Sequence, residues 1–303
     1  MNNDYNTTFT NRKTGDGPLL YETISGRINV VEMPSRSNSD AILCIHGFPC
    51  DARIFAYAGK KLSQAGYSVY SLDLPGHGKS DGQKGDLDFD ACLKSINQII
   101  IELKKRSPRL FILAHSMGST FALWYAHLFD SIDGLVLMAP YVRIAGIKRS
   151  DAEPGNIAFV RLLLGRIFVP RGRVNVAKIL PGYVKIGGSQ LARMVQDSEL
   201  NFEYSYRYFI DVIARRNSKV KEMADVHVPV LLLQGRDDRN VYPQVSEEFF
   251  KLLRTANKQI KIFDCGHWFY DAMFYSQTSE YSEDDREKFI SSIAEWLGSI
   301  KSP

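Results

Sequence analysis

Three residues far apart in the chain, Ser116, Asp238 and His267, have the types that together turn a hydroxyl into a nucleophile. Serine alone attacks poorly; it needs a histidine to take its proton and a carboxylate to hold that histidine's tautomer. Each of the three follows a short apolar run. Residues 110–114 lead straight into His115-Ser116-Met117-Gly118 and an amphipathic stretch. A serine at such a sharp strand-to-helix turn exposes its hydroxyl where the helix N-terminus faces the same point. Residues 230–233 lead into Gly235-Arg236-Asp237-Asp238-Arg239, and 260–263 into Cys265-Gly266-His267-Trp268. The order Ser, Asp, His, with separations of 122 and 29 residues, differs from both common serine protease orders.

These residues need a scaffold that gathers distant loop ends. Runs 41–45, 68–72, 110–114, 135–138, 230–233 and 260–263 are apolar on consecutive residues, as strands buried on both faces are. Between them, 55–65, 89–105, 117–129, 243–255 and 287–300 carry apolar residues at helical spacing. This alternation predicts an α/β fold with a mostly parallel central sheet flanked by helices. Residues 19–33 alternate like a hairpin turning at Ser25-Gly26. Between Pro140 and Val226 the sequence turns helical, basic and aromatic without a clear buried strand, which predicts an inserted helical cap. The expected organisation is a core over 1–140, a cap (lid) over 141–226 and a second part of the core over 227–303. Residues 276–285 read as an acidic, solvated loop.

With 303 residues, 45% of them hydrophobic and 24% charged, the chain can bury about three quarters of its unfolded surface, which excludes disordered and fibrous classes. Lys and Arg exceed Asp and Glu by 38 to 34, and this +4 reads as spread along the chain, so no nucleic-acid partner is expected. No apolar run approaches the roughly 18 residues of a membrane span, and 1–18 lack the apolar core of a secretory signal. A cytoplasmic location is the expectation. Cys44, Cys50, Cys92 and Cys265 lack paired spacing and read as reduced thiols. No zinc-ligand spacing and no nucleotide-binding glycine motif occurs, so neither a metal nor a cofactor is implied.

From 42 to 296 the chain resembles an α/β-hydrolase of the monoacylglycerol lipase and lysophospholipase-like subgroup. The resemblance rests on His46-Gly47-Phe48-Pro49, Asp73-Leu74-Pro75-Gly76-His77-Gly78-Lys79-Ser80, Ala114-His115-Ser116-Met117-Gly118, Gly235-Arg236-Asp237-Asp238 and Gly266-His267. The elbow departs from the usual pattern in carrying Ala114 in place of a glycine. The subgroup's pattern places the acid three residues after the glycine, which selects Asp238 over Asp237. The earlier acid position of some relatives falls in 139–150, which contains no Asp or Glu. The backbone N–H groups of Phe48 and Met117 are the implied oxyanion donors. With one glycine after His46 and a bulky Phe48, space there should be restricted, making esters of tertiary alcohols poor substrates. His46 is expected to brace this loop, His77 to be structural, His115 to point away from the chemistry, and His127 and His227 to lie at the surface.

The implied activity is that of a serine carboxylic-ester hydrolase acting on a small ester, lipid-derived by the resemblance, through an acyl-enzyme. Gly47, His115, Phe159, Leu163, Tyr204 and Trp268 are the candidate substrate-binding residues. Lactonase, thioesterase, C–C hydrolase and aminopeptidase chemistry share the same triad and remain alternatives. A peptidase would need a carboxylate pair for the substrate amine, for which Asp197, Glu199 and Glu203 are the candidates. A non-catalytic ligand receptor is disfavoured by the intact set. Residues 157–169 admit two readings: a lid helix packed over the pocket with its arginines in water, or a helix presenting some of Phe159, Leu162, Leu163 and Phe168 to a membrane surface.

Overall fold

The computed structural model describes residues 19–35, 40–129, 131–148, 150–151, 156–179, 202–216, 219–271 and 281–300. Eight strands make one sheet: β1 (Leu19–Thr23), β2 (Gly26–Met33), β3 (Ala41–Ile45), β4 (Ser68–Leu72), β5 (Leu110–His115), β6 (Gly134–Met138), β9 (Val230–Gly235) and β10 (Lys258–Phe263). Their order is β1-β2-β4-β3-β5-β6-β9-β10. Every pairing from β4 to β10 is parallel, while β1 and β2 add an antiparallel edge. All residues of β3, β5, β6 and β9 are buried, which is why their sequences are apolar without alternation. Each fully buried Leu, Ile or Phe in them stabilises by about 1.5–3 kcal/mol relative to exposure.

Helices α1 (Ala56–Gln64), α2 (Phe89–Lys104), α3 (Gly118–Phe129), α5 (Pro243–Leu252) and α6 (Glu283–Ser299) flank the sheet, and α4 (Asn156–Phe168) lies in the excursion between β6 and β9. α1 packs on α6 and on β4, whereas α2 packs on α3 and both pack on β5. Asp88 caps α2 by accepting from the N–H of Ala91 at 3.0 Å.

Three expectations change. The hairpin turns at Ile24-Ser25, and Gly26, with φ +94°, opens β2. β10 is half-buried because it is the sheet's edge, paired only with β9. The acidic stretch ends sooner: Ser282 accepts from the N–H of Asp285, and Glu283, Asp284 and Asp285 form the first turn of α6, where negative charge suits the helix dipole.

Between β6 and β9 the chain leaves the sheet. Its described part comprises α4, a two-stranded antiparallel ribbon of β7 (Arg173–Asn175) and β8 (Glu203–Ser205), one turn at Tyr206–Tyr208 and a wide helical turn at Phe209–Arg216. The ribbon was not expected. Val174 pairs with Tyr204 and both are buried between polar neighbours, but three residues are too few to display a period. Residues 180–201, including Asp197 and Glu199, lie outside the described residues.

Candidate active site

β5 ends at His115 and α3 begins at Gly118, so the chain reverses through Ser116 and Met117 alone. Ser116 takes φ +51°, a left-handed conformation that costs a non-glycine residue about 1–2 kcal/mol. Hydrogen bonds hold it there: its N–H donates to the carbonyl of Met138 at 2.8 Å, and its carbonyl accepts from Ser119 at 3.0 Å and Tyr141 at 3.2 Å. Two glycines make the turn fit. A methyl on Gly118 would run into the carbonyl of Ile45, and one on Gly47 would lie 2.9 Å from Cβ of Ser116. The loop after β3 therefore rests directly on the serine.

His267 and Asp238 meet from the ends of β10 and β9. Nδ1 of His267 and Oδ2 of Asp238 are 2.8 Å apart, both side chains buried. The other carboxylate oxygen, Oδ1, accepts from the N–H groups of Asn240 and Val241, each at 2.8 Å. Gln234 Nε2 adds a 3.3 Å contact to Oδ2, and its own Oε1 accepts from Ser246 at 2.5 Å. An acceptor-only carboxylate so placed requires His267 to carry its proton on Nδ1, leaving Nε2 as the basic atom. That Nε2 is buried and without a hydrogen-bond partner among the described residues. Asp237, by contrast, is exposed.

The loop after β3 is braced from below. His46 accepts from the N–H of Leu74 through Nε2 at 3.0 Å and donates through Nδ1 to the carbonyl of Gly47 at 3.0 Å. Burial lowers its pKa, which suits this neutral role. Asp73 ties the same loop to its neighbours, accepting from the N–H groups of Ala52 at 2.6 Å and Lys79 at 2.8 Å and from Asn29 Nδ2 at 2.7 Å. Burial raises the Asp73 pKa, against those hydrogen bonds. Above lies an aromatic wall. Phe48 and Tyr204 have ring centroids 4.6 Å apart, Tyr204 and Tyr208 4.8 Å apart. His77 donates to the carbonyl of Pro75 and receives the Tyr204 hydroxyl at 3.4 Å; burial and the neighbouring His46 push its pKa down to about 3.

A strand-turn-helix serine, a buried His–Asp pair beyond the ends of β10 and β9 and a glycine loop against the serine form one arrangement in an α/β sheet. The family model for serine aminopeptidase, S33, matches residues 36–267. The chain belongs to this family. Within the S33 α/β-hydrolases it is similar to a monoglyceride lipase homolog of Monkeypox virus, 27% identical over 68% of this chain and 72% of that protein. It is also similar to the monoglyceride lipase of Saccharomyces cerevisiae, 26% identical over 81% of this chain and 84% of the yeast protein. The crystal structure of Paleococcus ferrophilus monoacylglycerol lipase superposes with a TM-score of 0.69 at 26% identity, covering 90% of this chain and 99% of that one. This S33 member thus has the α/β-hydrolase fold and falls in the monoacylglycerol lipase-like subgroup.

The fold brings Ser116, Met117, Gly47, Phe48, Asp238, His267 and Trp268 to one end of the sheet, and Tyr204 reaches the same place from the excursion between β6 and β9. Two of the proposed substrate contacts change character. His115 is fully buried and turns toward the base: its Nε2 lies 3.0 Å from the carbonyl of His267, and its ring packs 4.7 Å from that of His267 and 5.3 Å from Trp268. It braces the loop that carries His267, and burial drives its pKa well down. Leu163 is 42% exposed, and its neighbour Leu162, at 1%, takes the inward place on α4. Phe159 is half-buried against the core. His127 is only half at the surface, with Nδ1 3.2 Å from the carbonyl of Asp225, whereas His227 is exposed. Sequence reasoning missed Gln234 and named Asp73 only as part of a motif, without its bracing role. Each is a polar residue ending an apolar run, and that interruption was the available signal.

Proposed function

We propose that this chain, a carboxylic-ester hydrolase of the monoacylglycerol lipase-like group, cleaves monoacylglycerol-class esters through an acyl-enzyme on Ser116. The observation that carries the reading is the buried Nε2 of His267, oriented by the 2.8 Å contact of Nδ1 with Asp238 and without a hydrogen-bond partner among the described residues, on a ring packed 4.7 Å from that of His115, the residue before the serine. Nε2 takes the Ser116 proton as Oγ attacks the ester carbonyl, while the N–H groups of Phe48 and Met117 receive the developing oxyanion. The imidazolium, stabilised by Asp238, returns the proton to the leaving alcohol, and water then repeats the sequence on the acyl-enzyme. The Tyr204 ring packed 4.6 Å from that of Phe48 supports restricted space there, which disfavours esters of tertiary alcohols. An amine-binding carboxylate pair finds no support in Glu203, which is exposed and accepts from Asn175 at 2.8 Å.

We read 141–226 as a cap that meets the lipid surface on which such substrates reside. Along α4, Ile157, Val160, Leu163, Leu164, Ile167 and Phe168 are all exposed. Such a contiguous apolar face is unusual on a monomer's surface and is typical of helices lying in a membrane interface. Charge agrees. Residues 141–226 contain 15 Lys and Arg against 8 Asp and Glu, net +7, so the remainder of the chain is net −3 and the +4 total is not evenly spread. A net-basic segment carrying an exposed apolar helix suits anionic headgroups. No helix among the described residues is long and apolar enough to cross a membrane.

The test is a fluorophosphonate probe followed by hydrolysis of monoacylglycerols, p-nitrophenyl esters and lactones. Labelling at Ser116 with fastest turnover on monoacylglycerols is expected. A protein that turns over none of the esters, or labels elsewhere, overturns the reading.

A further inference from the structure

One carboxylate on the core ties down the whole aromatic wall. Asp86, between β4 and α2, is buried, yet among the described residues the partners of its carboxylate come from the excursion. Oδ1 accepts from Ser205 Oγ at 2.6 Å and Arg207 Nε at 3.2 Å, and Oδ2 accepts from Arg207 Nη2 at 2.9 Å. The backbone joins in: Ser205 N–H donates to the carbonyl of Gly85 at 2.9 Å, and Ser205 Oγ accepts from Tyr208 N–H at 3.0 Å. Asp86 thereby fixes residues 205 to 208 as a unit.

Tyr208 in that unit and Tyr204 beside it both touch the residues assigned to the oxyanion. Tyr204 lays its ring against Phe48 at 4.6 Å, and the Tyr208 hydroxyl donates to Sδ of Met117 at 2.9 Å. Both tyrosines are fully buried, so they have no room to relax independently. We propose that Asp86 and Arg207 are positioning residues for the oxyanion hole, seating Tyr204 and Tyr208 so that Phe48 and Met117 hold their N–H groups on the reacting carbonyl. The inference rests on the hydrolase reading above and adds that the excursion helps build the transition-state site as well as covering it.

The two roles separate in kinetics. A seat that only shapes the acyl channel would act on KM for long esters, whereas a seat that sets donor geometry acts on kcat for every ester. Asp86→Asn, Arg207→Gln and the double variant are compared on p-nitrophenyl acetate, with melting temperatures measured in parallel. Each single variant should lose about tenfold in kcat with little change in KM, since small misplacements of catalytic groups cost this order of rate. The double variant should lose no more than the worse single, because one ion pair is being removed twice. Tyr208→Phe, which deletes only the hydroxyl on Met117, should show a smaller loss in the same parameter, and it carries the test alone if Asp86→Asn does not fold. Wild-type kcat on acetate in the folded variants, or a loss confined to KM of long-chain esters, overturns the proposal and leaves the hydrolase reading standing. A wild-type protein inert toward both acetate ester and fluorophosphonate overturns both.

Discussion

At the scale of single residues, the proposed nucleophile sits where the backbone is least ordinary. Ser116 sits in a left-handed turn that only its hydrogen bonds and two close-approaching glycines sustain. Ser116→Ala and His267→Ala should each abolish nearly all turnover, because the triad members act as a unit. Asp238→Asn should cost on the order of 10⁴-fold in kcat, as the equivalent change does in a serine protease, by favouring the wrong imidazole tautomer. Asp237→Asn should be mild, since that side chain is exposed. Comparable losses at both aspartates in steady-state assays would show that the acid is misassigned. Ser116 and His267 stood out as candidates because each follows an apolar run and their order is distinctive, and Asp238 was chosen over Asp237 through the family resemblance. Asp86 was not: its partners Ser205 and Arg207 lie 119 and 121 residues away, and a lone aspartate in a polar loop carries no periodic or motif signal.

At the scale of elements, strands in the interior of the sheet were the most readable feature: β3 and β4 span the same residues that consecutive apolar runs predict. Elements with mixed surroundings were harder. β10 is half-exposed at an edge, β7 and β8 are three residues each, and on α4 a rotation of one residue decides whether Leu162 or Leu163 faces inward. A sequence in which both neighbours are leucine gives no basis for choosing. The two positions should now behave oppositely. Leu162→Ala should destabilise by about 2–5 kcal/mol in thermal or urea unfolding, the usual cost of emptying a buried leucine site. Leu163→Asp should leave unfolding and acetate-ester turnover nearly unchanged while reducing co-sedimentation with anionic liposomes and turnover of vesicle-borne monoacylglycerol. Liposome binding equal to wild type would remove α4 from the lipid contact.

At the scale of the whole molecule, three buried histidines tie folding to acidity. His46, His77 and His115 all have pKa values lowered below 6.5 by burial, His77 to about 3. Between 6.5 and those lower values the unfolded chain binds protons that the folded chain refuses, so stability is full above 6.5 and falls as pH drops through that window. Urea midpoints should therefore decline from pH 7.5 through 6 to 5, and replacing the surface residue His227 should not alter that decline; a flat profile would mean these rings protonate in place. The strand order has a consequence in time. β6 pairs on one side with β5, but its other neighbour, β9, begins 92 residues after β6 ends. At about 5–20 residues per second of synthesis, the edge Leu135-Val136-Leu137-Met138 emerges roughly 5–18 s before the strand that covers it. A nascent chain thus carries an open, wholly apolar sheet edge, an invitation to pair with another chain. Translation pauses within 141–226 should lengthen that interval and send more of the product into aggregates, so recoverable yield should depend on chaperone supply more than the finished protein's stability would suggest.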